Sequence, residues 1–123
     1  MVSILSDGPL LVQAHATAAG QQVVEVILNA PDALNALNGD MVDLLLEHVP
    51  AWEADEDVIA IVMRGTGSKA FCAGGDIRQL YHEINKGNLD IGEKFFNHEY
   101  TMDLMLHRLS TPLIVWGSGY VIG

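Results

Sequence analysis

Apolar and polar positions along the chain follow two rhythms, and each stretch is readable from the one it keeps. Val12 to Thr17 alternates loosely, Ala18-Ala19-Gly20-Gln21 supplies turn residues, and Val23-Val24-Glu25-Val26-Ile27-Leu28 is apolar and β-branched. The spacing predicts a hairpin. Asn29 to Leu37 reads as a loop, with Pro31 and an Ala-Leu-Asn triplet at 33–35 that repeats at 36–38. Met41, Leu44, Leu45, Val49 and Trp52 then recur at helical spacing, which buries one face. Asn38 is the natural N-cap for that helix, with Asp40 and Asp43 near its positive end. Pro50 falls inside the pattern and cannot donate to the Leu46 carbonyl, so a kink or early break is expected there.

Val58-Ile59-Ala60-Ile61-Val62-Met63 holds too few polar positions to alternate, as in a parallel strand buried on both faces. Gly65-Thr66-Gly67-Ser68 turns, and Lys69-Ala70-Phe71-Cys72 is short and extended. Ala73-Gly74-Gly75-Asp76 leads into a helix over Ile77 to Ile84, broken at Lys86-Gly87-Asn88. The longest helix runs from about Ile91 to Leu109, Ser110-Thr111-Pro112 ends it, and a strand begins at Leu113. Strands and helices alternate from residue 23 onward, so the fold class is α/β. No internal domain boundary, low-complexity tract or structural repeat interrupts residues 1–123. A glycine-rich segment at the last residues, straight after a strand, suggests the front part of a longer protein.

Composition narrows the function. Six Lys+Arg against sixteen Asp+Glu give a formal charge of −10, which excludes a nucleic-acid binder and disfavours anionic membrane surfaces. The apolar runs are far shorter than the roughly 20 residues that span a bilayer, and Met1 to Asp7 has neither the basic region nor the apolar core of a signal peptide. One cysteine excludes an internal disulfide framework, and the five histidines show no ligand spacing, so no metal is expected. A reducing, cytoplasmic setting is the default.

Candidate chemistry lies in two places. Gly65 to Lys69 lacks the ending of a phosphate loop, Gly117-Ser118-Gly119 has no βαβ unit after it, and Ser118 is no nucleophile elbow with Trp116 two residues before it. Cys72 has no marked partner base and reads as a small buried thiol. Ala73-Gly74-Gly75-Asp76-Ile77 is different. Two glycines before a helix let the backbone turn sharply and come close to a ligand, with N–H groups suited to a developing negative oxygen. An ordinary strand-to-helix turn with Asp76 as N-cap fits the same residues. On the long helix, Phe95, Met102, Leu106 and Leu109 form a stripe, and Glu99 lies on it. Either Glu99 sits at the stripe's edge, reaching water or a cation such as Arg108, or a ligand meets it.

Taken together, several segments resemble the crotonase (enoyl-CoA hydratase/isomerase) superfamily. They are Ala33-Leu34-Asn35-Ala36-Leu37-Asn38, Ala51-Trp52-Glu53-Ala54-Asp55, Val58 to Gly65, Lys69 to Ile77, and Pro112 to Gly123. Phe71 to Arg78 and Phe95-Phe96-Asn97-His98-Glu99-Tyr100 are most similar to the 3-hydroxyisobutyryl-CoA hydrolase branch. The resemblance implies a spiral core of ββα repeats, incomplete here, with residues 1–123 as the N-terminal portion of one domain. It implies an acyl-CoA substrate, with hydrolysis of 3-hydroxyisobutyryl-CoA or a similar short 3-hydroxyacyl-CoA in valine breakdown. An enoyl-CoA hydratase or isomerase is the alternative, and a non-catalytic acyl-CoA-binding fragment is a third reading. Gly75 matches an oxyanion-hole N–H, and Glu99 matches an acid at the acyl pocket. Ala33, Leu34, Asn35, Ala73, Gly74, Gly75, Asp76, Ile77 and Arg78 match the coenzyme A groove. The second oxyanion donor and the decisive acids fall past Gly123, so this chain alone is expected to be nearly inert. Coenzyme A is part of the substrate, no separate cofactor is implied, and homo-oligomers occur in the superfamily.

Overall fold

The computed structural model describes residues 2–123. Strands β1 (Leu10–Ala16) and β2 (Gln22–Leu28) form the expected hairpin, paired antiparallel from Leu10↔Leu28 to Ala16↔Gln22. Helix α1 (Gly39–Ala54) follows, then β3 (Val58–Gly65), β4 (Ala70–Cys72), α2 (Ile77–Asn85), α3 (Asp90–His107), β5 (Leu113–Val115) and β6 (Tyr120–Val121). Two strands and a helix thus recur along the chain. The first strand of each later pair joins the hairpin, giving a sheet of order β1-β2-β3-β5 in which β2/β3 and β3/β5 are parallel. The second strands pair with each other, β4 parallel to β6.

The core lies on one side of the larger sheet. Val12, Val24, Val26 and Leu28 meet Met41, Val42, Leu45, Val49 and Trp52 of α1, and Phe95 and Met102 of α3 join the same cluster. Asn38 caps α1 as its sequence suggests, its Oδ1 accepting from the Met41 N–H at 2.9 Å.

Two expectations are corrected. Helix α1 runs unbroken through Pro50 to Ala54. Pro50 is exposed while Val49 and Trp52 are buried, so water is free to solvate the backbone that Pro50 leaves unbonded and packing holds the rest. Nor is β3 buried on both faces. Val58, Ile61 and Met63 are buried, but Ile59 is 38% exposed. The sheet's other face carries Glu25, whose carboxylate takes Arg64 Nε at 3.1 Å and His15 Nε2 at 3.3 Å. Parallel pairing was legible in β3; which face the helices cover was not.

Candidate functional site

The loop after β2 is shaped by Asn35. Leu34 and Asn35 both take left-handed backbone angles, with φ of 53° and 55°, a conformation that costs a non-glycine residue of order 1–3 kcal/mol. The buried Asn35 side chain offsets that cost. Its Nδ2 donates to the Thr66 and Ala70 carbonyls at 3.0 and 2.9 Å, and its Oδ1 accepts from the Ala30 N–H at 2.9 Å. The loop is thereby clamped to both sides of the β3–β4 turn.

The glycine turn is clamped in the same manner. Leu37 N–H donates to the Gly74 carbonyl and Asp76 N–H to the Leu37 carbonyl, both at 2.7 Å, while Ala73 N–H donates to Leu34 at 3.1 Å. Asp76 also caps α2, accepting from the Gln79 N–H at 3.2 Å. Gly74 has φ +90°, and a Cβ there would lie 3.2 Å from the Ile122 carbonyl oxygen. Only glycine allows that turn. It also seats the segment that follows β6 directly against Gly74.

Held between Leu37 and α2, Gly75 presents an N–H that no acceptor takes among the described residues. Beside it stands Glu99 of α3. A Cβ built on Gly75 would be 3.4 Å from each Glu99 carboxylate oxygen and 3.4 Å from the Phe95 ring. Glu99 makes no ion pair with Arg108 and has no hydrogen-bond partner among the described residues. Burial, and then the charge of Asp103, push its carboxyl above the usual range. Burial also raises the Cys72 thiol; a bond from the Gly74 N–H opposes this and the Glu99 charge adds to it, so Cys72 is a buried neutral thiol here.

An open groove of about 280 Å³ runs beside the turn, lined by Asp32, Ala33, Leu34, Ala36, Ala73, Gly75, Asp76, Ile77 and Arg78. Seven of the nine residues matched to a coenzyme A groove line it. Asn35 and Gly74 do not: Asn35 is the brace behind the groove, and Gly74 faces Ile122. On the far side of the Asp32–Leu34 corner a second depression includes Lys69. Neither Arg78 nor Lys69 pairs with a carboxylate among the described residues, so two cations flank this corner of an acidic protein. Lys69 and Asp103 escaped sequence reasoning because neither belongs to a glycine or apolar pattern; a basic residue next to the Phe71–Asp76 segment was the available signal for the first. Chemically, the arrangement offers an unpaired N–H at the positive end of a helix, able to hold an oxygen that gains charge, and beside it a carboxyl that burial pushes above the usual range.

Residues 23–123 match the family model described as enoyl-CoA hydratase/isomerase. The chain belongs to that family. Family relatives include the mitochondrial 3-hydroxyisobutyryl-CoA hydrolase of Gallus gallus, 34% identical over 98 residues covering 80% of this chain and 25% of the relative. The 3-hydroxyisobutyryl-CoA hydrolase 1 of Arabidopsis thaliana is 36% identical over 96 residues, 78% of this chain and 25% of the relative. Among solved structures, an enoyl-CoA hydratase from Rhodobacter sphaeroides superposes with a TM-score of 0.76 at 30% identity, covering 88% of this chain and 31% of that one. The family fold is therefore present in its first part, and the chain spans about a quarter of the length of the curated relatives it matches. No helix among the described residues is long and apolar enough to cross a membrane.

Proposed function

We propose that this chain contributes the carrier groove and one oxyanion donor of an acyl-CoA thioesterase acting on 3-hydroxyisobutyryl-CoA or a similar short 3-hydroxyacyl-CoA. The observation that carries the reading is the free Gly75 N–H with the Glu99 carboxyl beside it, at the groove that Ala33, Leu34, Ala73, Asp76, Ile77 and Arg78 line. In this reading the groove takes the coenzyme A portion, Arg78 and Lys69 meet its phosphates, and the thioester oxygen lies on Gly75 N–H. As water or a carboxylate adds to the carbonyl carbon, negative charge collects on that oxygen and the N–H stabilises it. Glu99 then contacts the acyl part, where a hydroxyl is the natural partner for a carboxyl. The remaining donor and the attacking or activating acid come from the later segments of the longer protein. No metal or redox cofactor enters.

The test uses the longer protein with 3-hydroxyisobutyryl-CoA and crotonyl-CoA. Release of free thiol from the first supports the proposal. Loss of enoyl absorbance from the second, without thiol release, makes it a hydratase, as the Rhodobacter sphaeroides protein is named. Saturable coenzyme A binding without turnover of either makes it a binder. Gly75→Pro removes the N–H, and loss of this one donor is expected to cost about 10² to 10³ in rate; an active, folded variant overturns the assignment. The location proposed is the cytoplasm, where a single thiol stays reduced. The Gallus gallus relative is named mitochondrial, and cell fractionation decides between the two.

A further inference from the structure

Glu99 and Asp103 are one helical turn apart on α3, which places their side chains on one face with Cβ atoms about 5–6 Å apart. Both are acids. Like charges at this spacing destabilise a helix, and neither side chain has a cation or a hydrogen-bond partner among the described residues. The pairs that form nearby leave them out: His98 of the same helix holds Asp43 at 3.2 Å, and Lys86 lies 3.8 Å from Glu83. Facing Glu99 are Gly75 from the turn after β4, the neutral Cys72 thiol of β4, and Phe95 from its own helix. Asp103 supplies the charge in that set.

We propose that Asp103 is a positioning residue that lets Glu99 keep a proton, so that Glu99 meets the bound acyl-CoA as a hydrogen-bond donor beside the Gly75 N–H. The inference rests on the reading of Gly75 and Glu99 as the acyl site. Its chemical reason is local. An ionised carboxylate so close to Gly75 would oppose the negative charge that the N–H is there to stabilise. A protonated carboxyl reverses the sign of that interaction and adds a second donor. Two acids close together with no cation bind one proton more readily than either does alone. Burial acts first on Glu99 and the Asp103 charge second, both in that direction. Burial also raises Asp103, but Glu99 is the member that faces Gly75. A substrate that displaces water from the groove strengthens the effect. No bond is made or broken in this step; the proton stays on Glu99 and is shared with a substrate oxygen.

The test is a carbon-detected NMR titration of the Glu99 carboxyl in this chain, repeated in Asp103→Asn and Asp103→Glu, with amide spectra confirming the fold. The Glu99 midpoint is expected to fall to lower pH in Asp103→Asn and to return in Asp103→Glu. Asp103→Ser removes the same charge if the amide disturbs the helix. An unmoved midpoint in the uncharged variants overturns the proposal. In the longer protein, kcat/KM for the thioester should decline on the alkaline side, with that limb shifted to lower pH in Asp103→Asn and abolished in Glu99→Gln. Activity that instead requires the ionised form, rising with pH through the Glu99 midpoint, also overturns it. If the longer protein turns over no thioester, the proposed function fails, while the titration still decides the role of Asp103.

Discussion

Asn35 illustrates how one side chain can set a site it does not line. Its three hydrogen bonds join the loop after β2 to the β3–β4 turn, and each partner is a backbone group. Asn35→Ala leaves those groups to find water in a tight space, and the expected loss is about 2–4 kcal/mol, read by chemical denaturation. Gly65 is the complementary case. A Cβ there would come within 2.5 Å of the Phe71 carbonyl and 2.6 Å of Asn35 Nδ2. Gly65→Ala should therefore cost about 1–3 kcal/mol by overpacking, measured in the same way. At Gly75 the atoms nearest an added methyl are the ends of Glu99 and Phe95 at 3.4 Å, so Gly75→Ala should fold nearly as well as the parent. That contrast separates a glycine needed for packing from one with space beside it. The sequence marked Gly75 as a candidate, but not which of these glycines packing requires.

At the scale of elements, helix α1 shows where local rules lose to packing. Met41, Val42, Leu45, Val49 and Trp52 are buried against the sheet, and Trp52 stacks on His48 with ring centroids 6.0 Å apart. That burial outweighs the bond Pro50 removes, so the helix continues. The proline still has its cost, and Pro50→Ala is expected to raise stability by roughly 1–3 kcal/mol, visible as a higher Tm. The hairpin, the N-caps at Asn38 and Asp76, and the break between α2 and α3 were legible because each depends on neighbours in sequence. Strand β6 was not. Its two residues pair with β4 across some fifty positions, and Tyr120 N–H donates to the Lys69 carbonyl at 3.0 Å; nothing local marks such a strand.

For the whole molecule, acid acts in two opposed directions. Ser110 donates its N–H and Oγ–H to Glu53 at 3.0 and 2.9 Å, tying the end of α3 to α1 and lowering the Glu53 carboxyl below its usual range. The stabilisation from that group is present above its unfolded value and fades as pH falls through the folded one. Glu25 behaves alike: burial raises it, but the bonds from Arg64 and His15 prevail. Glu99 and Asp103 run the other way, because a raised carboxyl favours the folded state below its unfolded value and loses that advantage as pH rises. Glu99→Gln should therefore be more stable than the parent at pH 7, with the gain vanishing in acid. Thermal unfolding at the two pH values checks it; a Glu99→Gln that loses stability at pH 7 contradicts the unpaired state of Glu99.

What the sequence determined by itself was everything set by short-range order: alternation and helical spacing, caps, turns, and the segments whose order resembles one superfamily. It also contained Gly75 and Glu99 as candidates, each with an ordinary explanation still open. Only the tertiary structure brought them together, because α3 must fold back over the sheet before a carboxyl 24 positions away reaches the turn. It alone showed that Asn35 and Gly74 stand behind the groove rather than in it. Periodicity encodes which residues are buried; which of them meet is settled by the packing of elements that are far apart in the chain.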